Sequence, residues 1–595
     1  MLKLLKNLGK KDRIYAAIST ILIALQVWLD MTLPDYMSKI TTLIVTEGSA
    51  MREILLAGGK MLLCALGSAA LAVAVGFLTA RIAADFSYRV REKTFNKIAD
   101  FGTVEMKKFS VPSLITRTTN DITQIQMVLA MGLQVMIKSP ILAVWAIIKI
   151  LGKSWQLSIV VAAAVALLVI EIVALIVVVM PKFRIVQKQV DDVNRVTDEN
   201  LTGLRVVRAF NAERYQADKF EDVNTRLMRT HLFTMRALAI LMPLLTMVMS
   251  GLSLAIYNVG AHLINGIAIP ADPSLMMGAI QSRVALFGDV VVFSTYAMFV
   301  VMSFMLLAAI FMFLPRAQVS ASRINEVLQE PIRVQEGKGA QETGLRGTLE
   351  FRDVSFRFPG SAERFMEHIS FKVEAGQTVA IVGATGSGKT TLISLAARLY
   401  DATEGEILLD GVNIRDYTFD ELYRKLGVVS QKAVLFSDPV RGNVLFGQAE
   451  GAVSDAEVRQ YLSIAQASGF VGKMERSLDH PVAQGGSNMS GGQKQRLSIA
   501  RAIARKPELL IFDDSFSALD FQTDRRLREA LRESCAGMTR LVVASRIGTI
   551  RNADAILVLN DGKLAGMGTH AELMKTCEIY REIALSQLSG DELGA

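Results

Sequence analysis

Hydrophobic positions are concentrated in the first half of the chain, where six long runs are separated by polar segments. Each run reaches or approaches the roughly 20 residues that a helix needs to cross the hydrocarbon core of a bilayer. The runs are Ile14–Leu33, Leu62–Ala80, Val128–Leu151, Leu157–Met180, Ala237–Leu263 and Val290–Leu314. The pattern therefore predicts six transmembrane helices.

The pattern changes after the sixth run. Pro315 and Arg316 end the last apolar run, and a helical segment continues to about Leu328. From Thr348 onward, short apolar strands alternate with amphipathic helices, which is typical of an α/β domain. We predict an α-helical six-span membrane domain with long cytoplasmic helical loops over residues 1–328, a polar linker over 329–347 and an α/β domain over 348–595.

Composition and charge support a membrane protein and orient it. The 595 residues are 51% hydrophobic and 21% charged, and three cysteines are too few for a disulfide framework. The net charge of +8 comes largely from Lys and Arg before the first run and between runs two and three and runs four and five. Positive charge collects on the cytoplasmic side, so we place both termini in the cytoplasm and assign the charge to topology and not to nucleic acid. The basic N-terminus lacks a small-residue cleavage site after a short apolar core, so we expect it to be a cytoplasmic flank and not a removable signal peptide.

Three ionisable residues fall inside the predicted spans. They are Lys138, Lys149 and Glu171. An intramembrane charge indicates a substrate path or a proton relay, because exposing it to lipid is costly. Alternatively, the two lysines extend toward the interface or face a wet cavity. The sequence leaves both interpretations open.

A phosphate-binding motif opens the α/β domain. The short strand Thr378–Val382 runs into Gly383–Thr390, which matches G-x-x-x-x-G-K-[ST] in its strand-loop-helix context. Backbone N–H groups around Gly383, Gly386, Ser387 and Gly388 would surround phosphate oxygens, and the helix N-terminus adds a positive dipole. Lys389 would reach the β- and γ-phosphates, and the Thr390 hydroxyl would ligate Mg²⁺. Thr391, the next residue of the helix, would also belong to the nucleotide-binding set.

A second strand supplies a carboxylate for the same nucleotide. The apolar stretch Leu509–Phe512 ends in Asp513, at the carboxyl end of a buried strand where it can hold Mg²⁺. With the glycine-rich loop, this carboxylate identifies a P-loop NTPase that would bind its nucleotide together with Mg²⁺.

A third motif lies between these two and carries a family resemblance. The residues Ser490, Gly491, Gly492 and Gln493 resemble the signature motif of ATP-binding cassette (ABC) ATPases. A hydroxyl and glycine backbones at a helix start make another anion site, suited to capping the γ-phosphate of an ATP held elsewhere. In that family two cassettes pair head to tail around two ATPs, so the resemblance implies that this single-cassette chain needs a partner.

The resemblance extends over nearly the whole chain. Phe358 matches the aromatic residue that stacks on adenine, although tyrosine is more usual there, Gln431 matches the Q-loop glutamine that senses Mg²⁺, and Asp520 matches the D-loop. The segments Arg117–Asp121 and Glu199–Phe210 resemble intracellular-loop motifs of type IV ABC exporters. Six spans followed by a cassette is the half-transporter order of that group, and a soluble DNA-repair cassette is excluded by the spans.

Two positions depart from the family pattern. Asp514 stands where the family has a glutamate that polarises the attacking water, and Ser545 stands where it has a histidine that contacts the γ-phosphate. Aspartate is shorter by one methylene, and serine lacks the reach and charge of imidazole. We therefore expect this ATP site to bind ATP and to hydrolyse it slowly.

The intact signature together with the altered site predicts an asymmetric assembly. The chain resembles the degenerate-site subunit of a heterodimeric bacterial ABC exporter in the cell membrane, with a second half-transporter that keeps the Glu and the His. Its substrates would be amphipathic or hydrophobic molecules taken from the cytoplasm or the inner leaflet. Alternatives are a homodimeric slow exporter, a siderophore-type importer on the exporter scaffold, and an ATP-gated regulatory or channel-like protein.

Overall fold

The computed structural model describes residues 2–45, 50–151, 154–269, 273–341, 343–449, 451–544 and 546–587. These form two compact units. The first unit comprises Met1–Ala99 and Val111–Gln329, and the second comprises Asp100–Ser110 and Glu330–Ala595. Each unit has its own hydrophobic core.

The first unit is helical. Among the described residues, six helices are long and apolar enough to cross a membrane, and each contains one of the runs predicted from sequence. Helices α1 to α10 span Leu2–Leu5, Lys10–Val45, Met51–Ala99, Thr103–Phe109, Val111–Thr118, Asn120–Leu151, Trp155–Thr202, Leu204–Ala209, Glu213–Asn265 and Pro273–Gln329. The predicted fold class, six apolar helices followed by a mixed α/β domain, is confirmed.

The core of the helical unit lies where α2, α6, α9 and α10 meet. Ile23, Ala146, Ile256 and Phe293 are fully buried there. In a water-soluble core, burying a large apolar side chain contributes roughly 1.5–3 kcal/mol. Inside a bilayer the surrounding lipid is also apolar, so the same contacts stabilise the unit through close packing.

Both lysines within the predicted spans have acidic partners on α2. Lys138 Nζ lies 3.2 Å from Asp30 Oδ2, and Lys149 Nζ lies 2.6 Å from Asp35 Oδ2. Tyr296 donates its hydroxyl to the other oxygen of Asp35 at 2.7 Å. The two lysines therefore form ion pairs that join α6 to α2, an arrangement that the sequence interpretations did not include.

The second unit is built on two sheets and surrounding helices. Strands β1 to β10 span Leu349–Phe356, Met366–Val373, Thr378–Gly383, Glu404–Leu409, Val412–Asn413, Leu426–Val429, Leu509–Asp513, Thr539–Val543, Ala555–Asn560 and Lys563–Gly568. Helices α11 to α20 span Lys389–Ala396, Phe419–Lys425, Val440–Val444, Asp455–Ile464, Ser468–Val471, Gly491–Ala504, Phe521–Ser534, Ile547–Ile550, His570–Thr576 and Glu578–Leu585.

Strand order brings the predicted phosphate and magnesium residues to one edge. The smaller sheet has the order β2-β1-β4-β5, and the larger has the order β10-β9-β3-β8-β7-β6, parallel from β9 through β6. In the larger sheet Asp513 at the end of β7 pairs with Val543 at the end of β8, which lies beside β3. Parallel strands present their carboxyl ends at the same edge, where ligands bind in open α/β sheets.

Helix α4 comes from the N-terminal half of the chain but packs within the second unit. Glu105 is 1% exposed and accepts a hydrogen bond from the Arg333 backbone N–H at 3.3 Å. Lys108 forms an ion pair with Glu330 at 2.6 Å. The division into residues 1–328, 329–347 and 348–595 stays a prediction that treats the chain as linear and does not describe this crossing.

Candidate nucleotide-binding site

The glycine-rich loop between β3 and α11 leaves the start of the helix open. Gly386 and Gly388 have φ of +88° and +103°, in the left-handed region that favours glycine. Gly388 is the residue before α11, and no side chain caps the helix. The first backbone N–H groups of α11 are therefore available to an anion, which the helix dipole also attracts.

Charged and polar side chains surround this helix start. Lys389 donates hydrogen bonds from Nζ to the Gly383 and Ala384 carbonyl oxygens, both at 2.8 Å. The Thr390 hydroxyl lies 3.3 Å from Asp513 Oδ1 and donates to it. A hydroxyl and a carboxylate at this separation are suited to share one hard cation such as Mg²⁺.

Burial changes the titration of the two principal charges. It raises the pKa of Asp513, and the neighbouring Asp514 carboxylate raises it further, whereas the Thr390 hydroxyl and Lys389 act in the opposite direction. Burial also lowers the pKa of Lys389, which the charges of Asp514 and Asp513 partly offset. The charges of Asp513 and Lys389 therefore stabilise one another, although burial disfavours the charged form of each side chain.

A cavity of about 340 Å³ gathers most of the predicted residues. Of those predicted from sequence, it is lined by Gly386, Gly388, Lys389, Thr390, Thr391, Gln431, Asp513 and Asp514. The sequence interpretation missed three further lining residues, which are Phe365, Thr385 and Val543. Two residues of the predicted loop are not among its described lining, which are Gly383 at the end of β3 and the buried Ser387.

The loop fits a nucleotide phosphate. Ser387 Oγ is buried and has no hydrogen-bond partner among the described residues. A buried hydroxyl without a partner is costly, and a phosphate oxygen at this loop would supply one. Together with the uncapped helix and Lys389, this hydroxyl gives the donor set that a polyphosphate requires.

Two aromatic residues lie near the loop in different ways. Phe358, the predicted adenine contact, packs edge-on against Phe356 and Phe365 with centroid separations of 4.9 and 5.0 Å. Lys107 Nζ from α4 lies 5.6 Å from the Phe358 ring centroid. Phe365 lines the cavity and lies 3.5 Å from the point that a Cβ on Gly388 would occupy. A large aromatic residue directly before β2 was the signal in the sequence that would have found Phe365.

The signature residues lie apart from this cavity, whose described lining includes none of them. Ser490 precedes α16 and accepts a hydrogen bond from the Gln493 N–H at 3.4 Å, while Gln493 Oε1 accepts one from the Ser490 N–H at 2.9 Å. A Cβ on Gly492 would lie 3.3 Å from the Ala518 carbonyl oxygen, so the signature helix begins close against the segment leading to Asp520. Gly491 has open space beside it.

Asp520 and Asp514 occupy the segment that follows β7. Asp520 accepts a hydrogen bond from the Thr523 N–H at 2.9 Å as the cap of α17, and this bonding holds its pKa below the ordinary value. Asp514 has φ of +47°, and its N–H donates to the Val543 carbonyl oxygen at 3.1 Å. Aspartate tolerates this left-handed conformation better than most residues. Ser545, the predicted substitute for the histidine, lies outside the described residues.

Comparison with known proteins identifies both units. Residues 366–517 match the ABC transporter family, and residues 16–304 match the ABC transporter transmembrane region. An uncharacterised ABC transporter ATP-binding protein of Mycobacterium tuberculosis is 36% identical, covering 92% of this chain and 90% of the relative.

Two further proteins extend the similarity. An ATP-dependent lipid A-core flippase of Pseudomonas aeruginosa is 32% identical over 84% of this chain and 79% of the relative. A bacterial Atm1-family ABC exporter, solved with ATP bound, shares the fold with a TM-score of 0.76 at 23% identity, covering 97% of this chain and 99% of that one. The chain belongs to the ABC transporter family, as a half-transporter that joins a six-helix transmembrane region to one ATP-binding domain of the exporter fold.

Proposed function

We propose that this chain is one subunit of a heterodimeric ATP-driven exporter and that its own ATP site binds the nucleotide but hydrolyses it slowly. The observation that carries the proposal is Asp514, which lines the cavity with Lys389 and Asp513 at the position where the family has its glutamate. Binding equipment is retained there, while the group that acts on water is altered.

The binding part of the proposal follows from the donors around the loop. Lys389 would exchange its two carbonyl acceptors for β- and γ-phosphate oxygens, and Thr391 and the loop N–H groups would complete the cradle. Thr390, Asp513 and Gln431 would hold Mg²⁺, which neutralises and orients phosphate oxygens when bound. Phe358 would contact the adenine.

The slow hydrolysis follows from carboxylate reach. Removing one methylene withdraws the carboxylate by about 1.5 Å, the length of a carbon-carbon bond. A general base or water-orienting group has to lie within hydrogen-bond distance of the water, so this displacement is enough to impair catalysis. The substitution of histidine by Ser545 removes a second γ-phosphate contact from the same site.

The partner follows from the intact signature. Ser490, Gly491, Gly492 and Gln493 lie outside this chain's cavity, and an ATP held by a second half-transporter is the ligand that the family arrangement assigns to them. Two copies of this chain would leave both ATP sites without glutamate and histidine. A different partner with both residues would have one competent site, completed by this signature.

The transported molecules are proposed to be amphipathic or hydrophobic and to leave the cytoplasm or the inner leaflet. The similarity to a bacterial lipid A-core flippase supports this class. The basic segments of the sequence support the proposal that both termini lie in the cytoplasm and that the chain lies in the cell membrane, because positive loops remain inside.

The test is to measure ATP hydrolysis by the purified pair in lipid vesicles. Neutralising the partner's glutamate should abolish most of the turnover, whereas Asp514→Asn should change it by less than about threefold. Robust hydrolysis by the isolated chain that Asp514→Asn stops would refute the asymmetric assignment. The direction of ATP-dependent flux in the same vesicles separates an exporter from an importer, and flux without uphill accumulation would identify a gated channel.

A further inference from the structure

The N-terminal segment before the first span is anchored to the helical unit. Leu4 of α1 is 1% exposed and belongs to a buried cluster that includes Phe86 of α3 and Ile324 of α10. The Lys93 ammonium on α3 donates a hydrogen bond to Asn7 Oδ1 at 2.8 Å. Although α1 has four residues, these contacts give the segment a defined position on the unit.

The positive charge of this segment is exposed, whereas its negative charge is buried. Asp12 is 1% exposed and forms an ion pair with Arg89 of α3, and the next acidic residue in the chain is Asp30. The cations of the segment are exposed and have no ion-pair partner among the described residues; they are Lys3, Lys6, Lys10, Lys11 and Arg13. We call these five residues the N-terminal basic surface.

The N-terminal basic surface adjoins apolar side chains that face outward. The first apolar run begins at Ile14, directly after Arg13, and Ile14 and Ile21 are 58% and 67% exposed. On α3, Arg81 directly follows the second apolar run, and its guanidinium lies 5.8 Å from the centroid of the Tyr15 ring. The ends of the first two spans therefore lie side by side, where exposed cations border exposed apolar surface.

This combination of surfaces selects the occupant. Long basic side chains extend along an interface and form strong hydrogen bonds to phosphate, while exposed isoleucines contact acyl chains. A free phosphate or a nucleic acid would pair with the cations and leave the apolar side chains in water. A zwitterionic headgroup brings a cation of its own. Each Lys or Arg near an anionic membrane surface strengthens the attraction by roughly fivefold.

We propose that the N-terminal basic surface binds the headgroups of anionic phospholipids where α1 and α2 meet the cytoplasmic side of the membrane. Because α1 is anchored by Leu4, the cations keep their positions and retain these lipids next to the protein. This binding needs neither ATP nor an altered catalytic site. It therefore goes beyond the proposed function and can be tested apart from it.

The test measures which lipids contact the full-length protein, reconstituted with its partner in phosphatidylcholine vesicles without ATP. Electron paramagnetic resonance reports the fraction of spin-labelled phosphatidylglycerol, or of spin-labelled phosphatidylcholine, that the protein immobilises. The wild-type protein should prefer phosphatidylglycerol by about threefold, and high salt should reduce this preference because it screens charge. Lys3→Gln combined with Lys6→Gln should lower the preference by about twofold.

Two matched variants control for structure and for net charge. The double glutamine variant keeps the three cations that adjoin the span, so we expect it to insert in the wild-type orientation. Lys3→Arg combined with Lys6→Arg retains the charges and should retain the lipid preference. Lys473→Gln combined with Arg476→Gln removes two exposed cations from the second unit and should leave the preference unchanged.

Several results would overturn the proposed surface. They are an equal preference in the wild-type protein and the double glutamine variant, equal losses in the glutamine and arginine variants, and an equal loss in the second-unit control. Release of phosphatidylglycerol by inorganic phosphate, beyond that caused by sodium chloride at equal ionic strength, would identify a general anion site. Release by a single-stranded oligonucleotide would identify a nucleic-acid surface. Failure of ATP-driven transport with the lipid preference intact would refute the proposed function and leave the surface standing.

Discussion

The starts of helices α11 and α16 are similar in sequence and opposite in how their polar groups are used. Both follow glycine-rich or serine-containing loops, and both have a lysine in the first turn that donates back to loop carbonyls. At α11 no side chain caps the helix and Ser387 Oγ has no partner among the described residues. At α16 the side chains of Ser490 and Gln493 satisfy one another's backbone N–H groups.

This difference suggests a division of labour between the two anion sites. At the uncapped start of α11, the backbone N–H groups and the buried hydroxyl lack hydrogen-bond partners that a phosphate would supply. This site is therefore suited to bind a nucleotide on its own. A helix start with a complete capping box is stable without a ligand, and the ligand must arrive with other contacts. We therefore expect the first site to act in the isolated chain and the second to act only when another half-transporter brings its ATP.

The largest expected effect is on ATP binding at α11. Lys389→Ala removes the charge that would contact the β- and γ-phosphates, and charge-assisted hydrogen bonds contribute roughly 1.5–3 kcal/mol each, so the affinity of the chain for ATP should fall by about 10- to 100-fold. Titration with a fluorescent ATP analogue measures it. The matched control is Lys494→Ala in the first turn of α16, which should leave affinity within twofold, and equal losses in the two variants would contradict the division.

The next effect is on the partner's catalysis through α16. Ser490→Ala should lower ATP hydrolysis by the proposed heterodimer at least tenfold while leaving ATP binding to the isolated chain unchanged. Loss of a serine cap costs about 1 kcal/mol of stability, so stability has to be controlled. Ser454 caps α14 with Glu457 in the same box geometry, and Ser454→Ala should cost similar stability without the loss of turnover. A parallel fall in both variants would mean that stability alone is responsible.

A smaller effect is expected from restoring the altered catalytic position. Asp514→Glu, alone and combined with Ser545→His, should return a carboxylate of ordinary reach and a γ-phosphate contact to the α11 site. Hydrolysis measured with the partner's own site disabled should then rise several-fold, and most in the double variant. Asp514→Asn is the control and should show no rise. An unchanged rate in the double variant, with a partner whose signature is intact, would contradict the assignment of these two positions.

The sequence was sufficient for features that depend on local pattern. Six apolar runs, the loop before Lys389 and the carboxylate of Asp513 each follow from hydrophobic period or fixed spacing. Features that depend on distant packing were not accessible: Asp35 and Lys149 are 114 positions apart, and no periodicity pairs them. The same applies to Phe365, which reaches the cavity because β2 folds beside the loop, and to α4, which crosses into the second unit.

The smallest expected effect concerns the pH dependence of magnesium-dependent ATP binding at α11. The carboxylate of Asp513 and the ammonium of Lys389 are the active forms, so affinity should fall as the pH drops through the raised pKa of Asp513 and as it rises through the lowered pKa of Lys389. The folded state binds a proton at Asp513 more readily than the unfolded chain does. The contribution of Asp513 to stability therefore decreases as the pH rises from 3.8, the ordinary pKa of an aspartate, through the raised pKa of the folded state.

The Asp514 carboxylate raises the pKa of both groups, which gives a specific test. In Asp514→Asn the pKa of Asp513 and that of Lys389 should both decrease, so the acidic and the alkaline limbs of the affinity profile should move together to lower pH. Comparing variant and wild type at each pH cancels the titration of the nucleotide itself. Limbs that move apart, or an alkaline limb that moves to higher pH, would show that Asp514 does not act on Lys389 and Asp513 through its charge. A joint shift would make Asp514 an electrostatic part of the binding site, separate from the slow hydrolysis that we propose for its shorter side chain.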